Sequence, residues 1–145
     1  MNSAPPDPLG DAPASIDSGA QDMVGYVIDL GCSDGGAQVT LDLAPRHLNR
    51  VGSLHGGIIA MLLDAAAGFA ASRSWSEAGD ALLVTVSLNT HYIASVNRGR
   101  VIATGRVSGG GQSVKFAEAD LRDGAGRLLA TASGVFKRVR ERRGP

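Results

Sequence analysis

The stretch from Gly56 to Ser72 reads Gly-Gly-Ile-Ile-Ala-Met-Leu-Leu-Asp-Ala-Ala-Ala-Gly-Phe-Ala-Ala-Ser, seventeen residues with one charge, Asp64. Apolar residues fall on every side of it, and a helix of that kind is buried. It cannot lie on the solvent side of a flat sheet. A curved sheet must wrap it, with a partner subunit as possible further cover. A carboxylate inside such a helix is costly unless it is hydrogen-bonded, protonated or open to a cleft. A structural role, such as accepting from a nearby amide, competes here with a chemical one.

The chain has 145 residues, enough for one domain with a sizeable core. Fourteen acids balance fourteen bases, so net charge gives no pointer to nucleic acid. The charges are uneven, however. Residues 1–22 hold four Asp and no base, whereas Lys137 to Arg143 hold five bases and one Glu. Cys32 is the only cysteine, which excludes an intrachain disulfide and fits a reducing compartment. No basic segment followed by an apolar run opens the chain, so no signal peptide is expected. Gly56–Ser72 is slightly short for a membrane span and carries Asp64 at its middle. A soluble cytoplasmic protein, with no membrane or nucleic-acid partner, is the expectation.

Residues 1–22, rich in Ala, Pro, Asp, Ser and Gly, read as a disordered leader. Val24–Leu30 and Ala37–Leu43 read as a hairpin turning at Asp34-Gly35-Gly36. Pro45–Asn49 reads as a short turn, and the apolar helix follows. Leu82–Tyr92, Arg100–Val107, Val114–Leu121 and Arg127–Val139 are four further strands, expected as a meander. Gly109-Gly110-Gly111 suits a hairpin turn and lacks the setting of a phosphate-binding loop. One domain over residues 23–139 and a basic tail at 140–145 complete the layout. Its class is α+β.

The chemistry-bearing residues are Asn49, Gly52, His55, Gly56, Gly57, Asp64 and Gly68. The pair Gly56-Gly57 sits where the helix begins. The first amides of a helix lack internal partners and carry positive partial charge. Without a side chain at Gly57, a carbonyl oxygen can approach its N–H, which is oxyanion-hole geometry. Asp64, two turns later, can act on water or attack directly.

This spacing resembles the hotdog-fold thioesterases, specifically the PaaI-like branch that hydrolyses acyl-CoA thioesters. The resemblance spans roughly residues 23–139. It implies a hotdog fold, a curved antiparallel sheet wrapped around one long central helix. It also implies a homodimer joined sheet edge to edge, and a tetramer as a dimer of dimers, with catalytic sites at the dimer interface. Asn49 and the Gly57 amide would polarise the thioester carbonyl. Asp64 of the other subunit would be general base or nucleophile. Thr85 stands where the family has a Ser or Thr that holds the water or the Asp, and His55 positions the loop. Gly56, Gln112, Ser113 and Lys115 are the implied substrate contacts. No cofactor is implied, because coenzyme A arrives as part of the acyl-CoA substrate.

Two departures stand out. Ser95 replaces a common Pro, and Gly111-Gln112 replaces a frequent Gly-Arg or Gly-Lys pair that helps to bind nucleotide phosphates. Simple alternation also puts Thr85 with Ser87, Asn89 and His91, opposite Val84, Val86 and Leu88. Thr85 then reaches the site only if the strand bends or its polar face meets a partner.

His47 reads as a solvated loop residue, His91 as an edge or interface residue, and Cys32 as inert. Three His without Cys or acids at ligand spacing give no metal site. Arg138, Arg140, Arg142 and Arg143 read as a solvated tail, with a reach to CoA phosphates as the rival use. Trp75, Phe69 and Tyr92 read as core or acyl-pocket residues. The absence of Gly-x-Ser-x-Gly argues against a serine hydrolase. A non-catalytic acyl-CoA binder and an enoyl-CoA hydratase or dehydratase are the competing functions.

Overall fold

The long helix runs Gly56–Trp75 (α2) and lies across a six-stranded antiparallel sheet. The computed structural model describes residues 18–140. A short helix, Gly19–Val24 (α1), precedes strands Val27–Asp29 (β1) and Ala37–Asp42 (β2). A 3₁₀ turn at Pro45–His47 leads to α2, followed by Leu83–Tyr92 (β3), Arg100–Gly110 (β4), Val114–Asp123 (β5) and Leu128–Arg138 (β6). The sheet order is β1-β2-β4-β5-β6-β3.

Three expectations change. The expected disordered leader, residues 1–22, lies mostly outside the described residues, but its end, from Gly19, is helical. Ser18 caps that helix by accepting from the Gln21 N–H, and Gly25 ends it in the left-handed region. The first strand therefore begins at Val27 rather than Val24. The four late strands are not one meander either. Strands β4, β5 and β6 form one, but β3 pairs with β6 at the far edge.

The sheet grips α2 through small residues. Leu62, Leu63, Ala66, Ala67, Ala70 and Ala71 of the helix are essentially inaccessible. Opposite them, a Cβ on Gly105 of β4 would stand 2.0 Å from the Ala66 carbonyl oxygen. Helix and sheet backbones thus nearly touch there, and only glycine fits. By length and composition α2 is apolar enough to cross a membrane, yet it packs as a core helix against five strands. Its uncovered side includes Ile58, Met61, Asp64, Ala65 and Phe69, all half-buried, so one chain does not bury it all round.

A β-bulge resolves the orientation of Thr85. Thr85 pairs with Phe136, while Leu88 pairs with Gly134, so three residues of β3 span what two span on β6. The extra residue flips the alternation. Thr85 shares the inward face with buried Phe136, and Leu88 faces inward beyond the bulge. Val84 and Val86 point out, at 50% and 60% exposure.

Candidate active site

Asp64 sits on the open side of α2, and the bulged strand supplies its neighbour. Thr85 Oγ1 donates to Asp64 Oδ1 at 2.7 Å. Burial pushes the Asp64 carboxyl above the ordinary carboxylate range, and the Thr85 hydrogen bond pulls it partly back. The pair opens into a hollow of about 300 Å³ whose apolar walls include Ala65, Gly68, Phe69, Leu83 and Phe136. A half-buried carboxylate at the mouth of an apolar hollow, with its proton affinity raised, is suited to take a proton from water.

Tyr26 lines the same hollow and is 8% exposed. Its phenol is pushed up by burial and then by the charge on Asp64, while the Ser18 hydroxyl acts in the opposite direction. Sequence reasoning missed Tyr26, since nothing near it in the chain marks it and only the fold carries it to Asp64. It is held firmly. The buried His47 meets the Val24 carbonyl through Nε2 at 2.7 Å and accepts from the Ala44 N–H through Nδ1 at 2.9 Å. With Nδ1 accepting, the neutral tautomer bearing its proton on Nε2 satisfies both. His47 is therefore a buried clamp, at 2% exposure, and not a solvated loop residue.

The second group gathers at the start of α2. Asn49 Oδ1 accepts from the N–H groups of Val51 and Ser53, each at 3.1 Å. That fixes the amide orientation and leaves Nδ2 as a donor with no partner among the described residues. His55 is the N-cap of α2, its Nδ1 accepting from the Gly57 N–H at 2.9 Å. The Gly57 amide, expected to face a carbonyl, is thus engaged within the chain. A Cβ on Gly57 would lie 3.1 Å from the His55 ring, so glycine here makes room for the cap. One residue earlier, Gly56 has no intrahelical acceptor for its N–H, and none outside the helix among the described residues. Tyr92, which is 56% exposed, donates its hydroxyl to the Gly56 carbonyl at 2.8 Å and braces this end.

Asn49 and His55 line a surface hollow separate from that of Asp64. Eight residues separate Gly56 from Asp64, about 12 Å along the helix axis. One chain does not bring the two groups together on a single carbonyl.

The expected substrate contacts are also split. Gln112 and Ser113 are exposed in the turn after β4. Lys115 lies 5.9 Å and Arg138 5.8 Å from the centroid of the Trp75 ring, whose Nε1–H donates to the Gly111 carbonyl at 3.0 Å. Arg138 thus belongs to a basic and aromatic cluster with Lys115, whereas residues 141–145 of the tail lie outside the described residues. Phe69 lines the Asp64 hollow, and Trp75 and Tyr92 do not.

Comparison with known proteins places this arrangement. Residues 51–130 match the sequence model of the thioesterase superfamily. PA0474 of Pseudomonas aeruginosa, assigned as an esterase, is 37% identical over 100 residues, 68% of this chain and 72% of that protein. The structure of conserved protein PA5202, also from Pseudomonas aeruginosa, is similar at a TM-score of 0.77 and 32% identity, covering 86% of this chain and 96% of the other. BH2602 from Bacillus halodurans, solved with CoA, gives a TM-score of 0.77 at 25% identity, covering 87% and 82%. Matched over more than half its length by the family and built as one helix in a curved antiparallel sheet, the chain belongs to the thioesterase superfamily with its hotdog fold, and thioester hydrolysis is the activity this membership supports.

Proposed function

We propose that the chain hydrolyses acyl-CoA thioesters to the free acid and CoA, working as a homodimer whose sites each draw on both copies. The observation that carries this is Asp64, held by Thr85 at the mouth of an apolar hollow with its proton affinity raised. The thioester carbonyl rests against Asn49 Nδ2 and the Gly56 N–H of one copy. The Gly57 N–H joins them when His55 swings aside. Asp64 of the other copy takes a proton from the attacking water, or attacks the carbonyl itself. The tetrahedral oxyanion collapses and expels CoA as a thiolate, which takes the proton held by Asp64 in the water route or one from solvent in the direct route. In the direct route water then cleaves the mixed anhydride on Asp64 to the free acid. Preorganised donors of this kind are worth about 10²–10³ in rate each.

The need for two copies follows from the separation along α2. The ten-residue edge of β3 is unpaired among the described residues and carries exposed Val84 and Val86. Such an edge invites pairing with another strand. Thr85 lies on that strand, so joining two β3 edges brings the second copy close to Asp64. A dimer of such dimers is the proposed tetramer. CoA-bound BH2602 supports coenzyme A as the carrier, and the basic cluster of Lys115 and Arg138 is the contact assigned to its phosphates in this reading.

The test is release of free thiol from a panel of aliphatic and aromatic acyl-CoA esters, read with a colorimetric reagent. The expected result is turnover of at least one ester at micromolar concentrations. Binding of CoA esters by calorimetry without thiol release would instead make the protein a binder.

A further inference from the structure

We infer that the hollow beside Asp64 receives the acyl group, and that Tyr26 selects compact acyl groups bearing a hydroxyl or oxo substituent. This rests on the thioesterase reading and adds a substrate class to it.

Size comes first. The hollow, about 300 Å³, stands at the bottom of the range of about 300–1,000 Å³ found for small-molecule sites. On the helix side its lining runs from Asp64 through Gly68 to Ser72. That is two turns on one face, about 12 Å. A Cβ on Gly68 would meet Phe136 at 3.5 Å and Leu83 at 3.7 Å, so the missing side chain keeps this gap open. A short or medium acyl group matches that size.

Chemistry comes second. The other hydroxyl protons in the lining are committed. Thr85 donates to Asp64. Ser72 Oγ donates to the Ala81 carbonyl at 2.7 Å. Asp80 accepts from the Ser76 hydroxyl. Tyr26 differs: the Ser18 hydroxyl lowers its proton affinity, as a donor to the phenol oxygen does, and Asp64 acts on it through charge, so among the described residues no acceptor takes its own O–H proton. A phenol hydroxyl both donates and accepts, so one neighbour leaves capacity to spare. An acyl group without a polar substituent displaces water from Tyr26 and gives nothing in return. A substituent that bonds Tyr26 avoids that loss, which is worth about tenfold to a hundredfold in kcat/KM.

Position comes third. Tyr26 is set before binding rather than recruited by it. Its own carbonyl accepts from Gln21 Nε2 at 3.2 Å. The preceding Val24 carbonyl is held by His47 and by Arg46 Nη2 at 3.3 Å. A polar group held in a fixed position discriminates between ligands better than a mobile one.

The experiment compares hexanoyl-CoA with 3-hydroxyhexanoyl-CoA and 5-hydroxyhexanoyl-CoA, together with acetyl-CoA and palmitoyl-CoA. The wild-type enzyme should favour at least one hydroxylated ester over hexanoyl-CoA by about tenfold or more in kcat/KM, and turn over palmitoyl-CoA poorly. Tyr26→Phe should erase the preference by lowering the hydroxylated ester by a larger factor than hexanoyl-CoA. Gly68→Ala should lower kcat/KM for hexanoyl esters by a larger factor than for acetyl-CoA. Calorimetry on Asp64→Asn, with and without Tyr26→Phe, reads the same preference as affinity, without turnover. Equal handling of plain and hydroxylated esters, or a preference that survives Tyr26→Phe, overturns the assignment. No thiol release from any ester would instead sink the thioesterase reading, and the binding arm would still decide the role of Tyr26.

Discussion

Replacing Asp64 by Asn separates the work of the charge from the work of the shape. Asn keeps an oxygen to accept the Thr85 hydrogen bond, now 2.7 Å long, and fills the same space. What disappears is the base. General-base catalysis contributes about 10²–10⁴ in rate, so kcat should fall at least about 100-fold while KM stays within a few-fold. Stability should move the other way. The folded carboxyl holds its proton more tightly than the unfolded one, because burial disfavours the charge. Its contribution to stability is therefore full at acid pH and is lost as pH rises through the raised folded value. Asn has no proton to lose, so the variant escapes that loss at neutral pH. The variant should therefore melt above wild type at neutral pH and lose that advantage in acid. Thiol release and thermal denaturation, each followed from acid to neutral pH, measure both effects. In the wild-type enzyme, kcat/KM should rise with pH along a limb lying above the usual Asp value of about 3.9. Turnover of the variant within tenfold of wild type, or a variant less stable at neutral pH, would refute the reasoning.

Three other perturbations probe the surroundings. Thr85→Val removes the bond that favours the ionised carboxylate, so the acid limb of the rate profile should move to higher pH and kcat fall roughly tenfold; an unmoved limb counts against the pairing. His55→Ala removes the cap on the Gly57 N–H, at about 1 kcal/mol in thermal melts; if Gly56 and Asn49 are the standing oxyanion donors, kcat should fall less than about tenfold, and a far larger loss would give His55 a chemical part. Gly105→Ala drives a methyl group into the Ala66 carbonyl and should cost about 3 kcal/mol or more; a denaturant midpoint equal to wild type would contradict the close packing.

Much of this was legible because composition speaks where burial is extreme. One charge in a long apolar run marks Asp64 whatever surrounds it. The glycines before it mark a helix start, and alternating strands with turn residues mark a sheet. The misses share another cause. Simple alternation turns Thr85 away from the site, although the family resemblance puts it there, because a bulge has no signature in a run of β-formers and period-two reasoning fails after one inserted residue. The position of β3 beside β6 depends on how the chain crosses the sheet, which local pattern does not encode. His47 reads as a loop histidine until Val24, twenty-three residues earlier, is found against its ring. Tyr26 and Asp64 likewise meet only through tertiary packing. The engagement of the Gly57 amide depends on the rotamer of His55, which spacing alone does not give.

The additional residue in β3 divides that strand into two halves that answer to different demands. Upstream, Leu83 and Thr85 are committed to the hollow, and changes there alter the chemistry. Downstream, Ser87, Asn89 and His91 look outward and are free to vary with whatever lies alongside. Shortening the strand by one position in this region would swing Thr85 away from its carboxylate while leaving the hydrophobic interior largely intact. A folded protein with a displaced acid limb and turnover roughly tenfold lower would be only one codon away.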